Sequence, residues 1–339
     1  SFSDRVDADD RCAARRDLSK RLRHSANDLI PVSDRLQQTP DALGPSLSSA
    51  AKNVRIDAVT FSVTLLVLVA ALLHASWNAF VKAGNDKLLS IGLMHACSGV
   101  LGLCLLPFFP LPDSASWPYL ALSAALHWGY YVFLINGYRY GDLGVVYPLA
   151  RGSAPLLVAV TGALIAGERF PPLAMAGLAV ASVGIVSLSF ENGLPRKGAL
   201  KPVFFALGTA LWITAYTLAD GLGVRKAGTE LSYILWLFVL EAATFCPLVL
   251  AMRRTTWRTH YLTHWRGLWL SGLVSAIAYG LVIYVMSTHP MAWVSALRET
   301  SVVIAVLIGA FFLKERHLLY RVIAALIVVG GIVLMSASM

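Results

Sequence analysis

"RGSAPLLVAVTGALIAGER", residues 151–169, and "RETSVVIAVLIGAFFLKER", residues 298–316, are the two stretches whose likeness decides the fold. At a shift of 147 they lay Arg151 over Arg298, Gly162 over Gly309, Glu168 over Glu315 and Arg169 over Arg316. Further on, Gly184-Ile185-Val186 matches Gly331-Ile332-Val333. A weaker echo at a shift of 139 lays "ALLHASWNA" (71–79) over "ALWITAYTL" (210–218), with Trp77 over Tyr216. Self-similarity at a fixed period reads as two copies of one structural unit.

The surroundings of both stretches are apolar. Of 339 residues, 57% are hydrophobic and 14% charged, against roughly 25% charged in soluble domains. Such a chain has too little polar surface to cover itself in water. From Ile56 onward, apolar runs long enough for a bilayer core of about 20 helical residues are expected at 59–81, 88–109, 116–137, 144–166, 172–190, 199–220, 231–252, 267–287, 291–313 and 319–337. The breaks carry turn chemistry, as in "KAGNDK", "FPLPDSAS", "GERFPP" and "ENGLPRKG". The expected fold is thus an all-α integral membrane protein with ten transmembrane helices in two inverted five-helix repeats. Five is an odd number of crossings, so the second copy lies upside down relative to the first. That arrangement is a hallmark of secondary transporters, with the site near the midplane.

Three segments follow from this reading: a polar, disordered tail at 1–56, a first repeat at 57–190 and a second at 191–339. The tail holds ten Lys or Arg and eight Asp, and its acids argue against a transit peptide. The net charge of +9 is scattered over short loops rather than clustered, which speaks against nucleic acid. Thirteen basic residues follow the odd-numbered spans and three the even-numbered ones, a bias that sets orientation in a membrane. The four cysteines have no ligand or pairing spacing, and there is no HExxH, GxSxG or Walker loop. No metal, cofactor or ATP is expected.

A charge deep in a span costs about 2.5–3.5 kcal/mol and nearly always faces protein or a watery cavity. Arg151 and Arg298 each lie about eight residues into a span, from opposite faces. They are the leading candidates to hold the anionic end of a solute. Glu299 and Glu241 are candidates for proton or ion coupling. His74, Trp77 and Asn78 share one helix face, as do His127 and Tyr130. With Tyr216 and Tyr279 they are expected to line the solute's body. Gly177, Ala181, Gly184, Gly330 and Gly331 allow close helix contact, within a protomer or across a homodimer.

"LLHASWNAFVKAGNDKLL", "YRYGDLGVVYPLARGSAPLL", "GALIAGERF", "AYTLADGLGVRKAG" and "ALRETSVVIAVLIGAFFLKER" together resemble an EamA-type member of the drug/metabolite transporter (DMT) superfamily. The resemblance implies ten helices in two inverted EamA repeats around a central cavity. It also implies export of small metabolites, amino acids or related solutes, across the cell's plasma or inner membrane without ATP. The expected function is therefore a secondary transporter of anionic or zwitterionic metabolites, an exporter by alternating access and not an enzyme. Its partners are the solute and membrane lipid. The alternatives are an integral-membrane enzyme acting on lipid and a non-transporting scaffold.

Overall fold

In lipid an apolar run satisfies its backbone polar groups only by coiling on itself, and the long runs here do so. The computed structural model describes residues 62–78, 80, 81, 84, 86–141, 143–191, 200–304 and 318–338. The expected tail and the second-copy residues Gly309, Glu315 and Arg316 lie outside these. The helices are α1 (Ser62–Asn78), α2 (Lys87–Leu105), α3 (Trp117–Tyr140), α4 (Leu143–Ile165), α5 (Pro172–Ser187), α6 (Leu200–Val224), α7 (Glu230–Met252), α8 (Trp257–Met286), α9 (Met291–Arg298) and α10 (Leu318–Ser336). No strand occurs among the described residues.

Among the described residues, seven helices are long and apolar enough to cross a membrane: α2, α4, α5, α6, α7, α8 and α10. The other three expected spans differ. α1 is apolar but short over its described length. α3 has the length, yet His127, Asn136, Arg139 and five tyrosines dilute its apolar character. α9 stops at Arg298. Glu299 takes a turn in which its amide donates to the Ala296 carbonyl at 3.1 Å, and helix resumes at Thr300. A tightened turn in mid-span is a common sign of a functional break.

α8 begins at Trp257, ten residues before the expected span at 267, so the break between the two expected spans shrinks to 253–256. The sequence "WRTHYLTHWR" explains the error. Its rings and charges continue the helix past the hydrocarbon as an interfacial extension. There Arg258 lies over the Trp257 ring and Arg266 over the Trp265 ring, each at 5.3 Å.

Packing pairs α2 with α7, α3 with α6, α4 with α6 and α9, and α5 with α10; α8 leans on α2 and α3 on α7. On α5 and α10 glycine is required. A Cβ on Gly177 would meet the backbone of Gly331 and Met335, and one on Gly331 would meet the backbone of Ala181. This small-residue contact lies within one protomer, whereas Gly330 faces open space. Asp86 caps α2, its Oδ1 accepting from the Leu89 amide at 3.0 Å, and its Oδ2 accepts from Arg253 Nε at 2.6 Å. Partial burial raises the Asp86 carboxyl, but the Leu89 amide and the Arg253 guanidinium outweigh it and hold it below its ordinary value. Leu103, Leu164, Val183, Leu211 and Leu326 point outward, as lipid contact requires.

Candidate functional site

α4 carries Arg151 and the end of α9 carries Arg298 into the same interior region, where both meet Glu299. Arg151 Nε donates to Glu299 Oε2 at 2.7 Å, while Arg298 Nε is 3.6 Å from Glu299 Oε1. The second distance is an ion-pair contact, too long for a hydrogen bond. All three side chains are under 5% exposed. Arg151 Nη2 and Arg298 Nε and Nη2 have no hydrogen-bond partner. Two guanidiniums against one carboxylate leave one positive charge and several donors unspent.

Both arginines line a cavity of about 150 Å³. Its wall brings together Arg151, Arg298, His74, Trp77, Asn78, His127, Tyr130, Tyr216, Tyr279 and Glu241, all of them candidates from the sequence. Glu299 alone among the candidates is off the wall, behind the Arg151 guanidinium. Asn78 and Trp77 spend their N–H groups locally: Asn78 Nδ2 donates to the His74 carbonyl at 2.7 Å and Trp77 Nε1 to His74 Nδ1 at 3.3 Å. Tyr216 stacks on His127 with ring centres 4.1 Å apart. Tyr147, on α4 one turn before Arg151, lies 5.8 Å below that guanidinium. A wider hollow of about 480 Å³ between α3 and α7 is apolar and has no charged wall.

A second polar cluster stands in the same cavity. Glu241 Oε2 is 3.4 Å from His95 Nδ1, and Oε1 is 3.1 Å from His127 Nδ1. His95 Nε2 in turn meets the Tyr131 hydroxyl at 2.5 Å. Nearby, the buried Asp220 accepts from Tyr279 at 2.5 Å and from Tyr233 at 3.1 Å. Sequence reasoning missed His95 and Tyr147 as site residues. His95 was open to the same test as the arginines, since any ionisable residue inside a span is a candidate.

The cavity wall reaches Val81, Lys87, Leu88 and Tyr138, at the membrane face where α1 ends and α2 begins. The opposite face is tied shut. Glu168 accepts from the Met291 amide at 2.9 and 3.0 Å and from Arg225 Nη2 at 2.7 Å. Its side chain is only 7% exposed. Arg225 also donates to the carbonyls of Met286 at 3.0 Å and His289 at 2.8 Å. Burial holds the His289 imidazole below its usual value despite its contact with Val285, so Arg225 supplies the cation here.

The family model described as "EamA-like transporter family" matches residues 200–337. No curated protein matches the chain. One solved structure, described only as "Crystal structure of protein", is 19% identical and overlaps 80% of this chain and 96% of its own, with a TM-score of 0.64. At that identity the likeness is one of fold. With seven membrane-length helices among its described residues, the chain is a multi-pass membrane protein, and its residues 200–337 are similar to the EamA-like transporter family.

Proposed function

We propose that the chain is a secondary carrier that exports a small anionic or zwitterionic metabolite across the plasma or inner membrane, working by alternating access between two inverted five-helix repeats, 57–190 and 191–339. The helix pairing supports the repeats. Numbering the second five helices as copies of the first, α2–α7, α4–α9 and α5–α10 each pair a helix with its own copy, and α2–α8 is the counterpart of α7–α3. A twofold axis in the membrane plane predicts this pattern.

The observation that carries the reading is the pair of buried arginines, Arg151 and Arg298, on the cavity wall, sharing one carboxylate and keeping guanidinium N–H groups unspent. A buried charged donor without an acceptor is costly, and a carboxylate or phosphate-like group fits the planar fork of arginine. Glu299 fixes the Arg151 guanidinium in place, so the solute meets a preset cation. Tyr130, Tyr147, Tyr216 and Tyr279 suit the body of an organic solute, offering rings and hydroxyls. The basic loops lie on the face to which the cavity reaches, and the positive-inside rule makes that face cytoplasmic. An exporter loads its solute from there.

The test compares the media of cells overproducing wild type, Arg151→Gln or an empty vector, at matched membrane levels, by untargeted mass spectrometry. A metabolite that accumulates with wild type and not with the variant supports the reading and names the solute. Three indistinguishable media would overturn export.

A further inference from the structure

The carrier reading leaves the second cluster of the cavity without a task, and the inference that follows rests on that reading. We propose that Glu241, held between His95 and His127, is a proton-binding site of the carrier. Its ligand is a single proton exchanged with cavity water.

Glu241 and Glu299 are both about 1–3% exposed, but only Glu299 has a permanent cation beside it. The ion-pair partners of Glu241 are two imidazoles, at 3.4 and 3.1 Å, whose own charge depends on protons. The groups that face it are His95 of α2, Ser123, His127 and Tyr131 of α3, Tyr216 and Asp220 of α6, Tyr279 of α8 and, on its own helix α7, Tyr233. None is Lys or Arg. A buried carboxylate with no fixed counter-ion is balanced by a proton or not at all.

The hydrogen bonds indicate where that proton goes. The Ser123 carbonyl can only accept, so its 2.9 Å contact with His127 Nδ1 commits the hydrogen of that nitrogen. The Tyr131 hydroxyl can donate to His95 Nε2, which turns the His95 Nδ1 hydrogen toward Glu241 Oε2. Oε1 is left buried with no donor of its own. A proton from cavity water forms an O–H bond at this oxygen and returns to water on release; no other bond changes and nothing is oxidised. Asp220 accepts from two phenols and is the other buried carboxyl nearby, so the two are told apart by substitution.

The experiment needs no solute. The full chain is reconstituted in lipid vesicles, and its pH-difference infrared spectrum is recorded between pH 8 and 5. Wild type should gain a protonated-carboxyl band. Glu241→Gln should lack it, while Asp220→Asn should keep it. His127→Gln, which leaves the carboxylate in place, should move the band's midpoint by about one pH unit or more, the scale of a lost charged or hydrogen-bonded neighbour. Gel-filtration profiles establish that each variant is folded. If Glu241→Gln fails to fold, the His127→Gln midpoint carries the test alone. A wild type without a pH-dependent band, a band that survives Glu241→Gln or follows Asp220→Asn, or an unmoved midpoint overturns the proposal. Because no solute is present, such a failure leaves the carrier reading standing, and absent export would leave the proton site standing.

Discussion

Glu299 and Glu241 have the same functional group and nearly the same burial, yet their neighbours give them different chemistry. Glu299 neutralises one of two guanidiniums in a dry region. Replacing it by glutamine removes that charge and leaves both arginines unpaired, a loss of roughly 3–5 kcal/mol for a broken buried pair. Glu299→Gln should therefore lower the thermal midpoint of the purified protein far more than Glu241→Gln, which abandons no fixed cation. Equal midpoints would refute the assignment. Arg151 and Arg298 were legible in the sequence because a charge inside oil is conspicuous and because each falls on the other in the repeat. Their shared partner was not, since the Arg151–Glu299 bond joins residues 148 apart and no helical period encodes it. At the membrane face, Asp86 offers a smaller effect with a definite sign. Its carboxyl is held below the ordinary 3.8, so the stability it adds is complete above that value and fades as the pH falls through the lower, folded-state one. Asp86→Asn should cost at most about 1 kcal/mol at pH 7, as an exposed pair does. The gap from wild type should close in strong acid, in unfolding curves recorded at pH 7 and below pH 3.8.

Helices of equal length can differ in what fixes them. The α5–α10 contact is set by backbone meeting backbone, because Gly177 and Gly331 leave no side chain between them. Without a hydrophobic drive between helices in lipid, such close approach supplies the association energy. Gly331→Leu should force the pair apart and destabilise the protein by about 1–3 kcal/mol, the usual range for overpacking. Gly330→Leu, one residue away and facing open space, should be nearly neutral. Thermal unfolding of the two variants side by side decides this, and equal losses would count against the contact. The glycine stripe itself could be read from sequence, but whether it pairs inside or between protomers could not. The ends of α8 and α9 were misread for a related reason. Hydropathy follows the hydrocarbon, whereas α8 runs on through rings and charges, and α9 breaks inside an apolar run at Glu299.

At the scale of the molecule, the cavity has one reachable end and one tied end. The tie is Glu168, whose carboxylate caps the first amide of α9 and holds Arg225, which in turn holds the carbonyls of Met286 and His289. It fastens the α4–α5 connection to α6 and to the α8–α9 corner, and so the first half of the chain to the second. A carboxylate at a helix N-terminus is favoured by the helix dipole as well as by the amide it accepts from. Under the proposed alternating access, this tie must break for solute to leave there, and the tie would then set how often that end opens. Glu168→Gln keeps the shape and removes the charge. In a protein with its native cysteines replaced, Ser295→Cys places a thiol in α9 at a position that is 1% exposed, beyond the tie as seen from that face. A membrane-impermeant maleimide added from that face should label it slowly, and about tenfold faster when Glu168→Gln is added, if the tie contributes about 1.4 kcal/mol to closure. Unchanged labelling would mean that the closed end is held by packing of α9 alone and that Glu168 serves only to cap it.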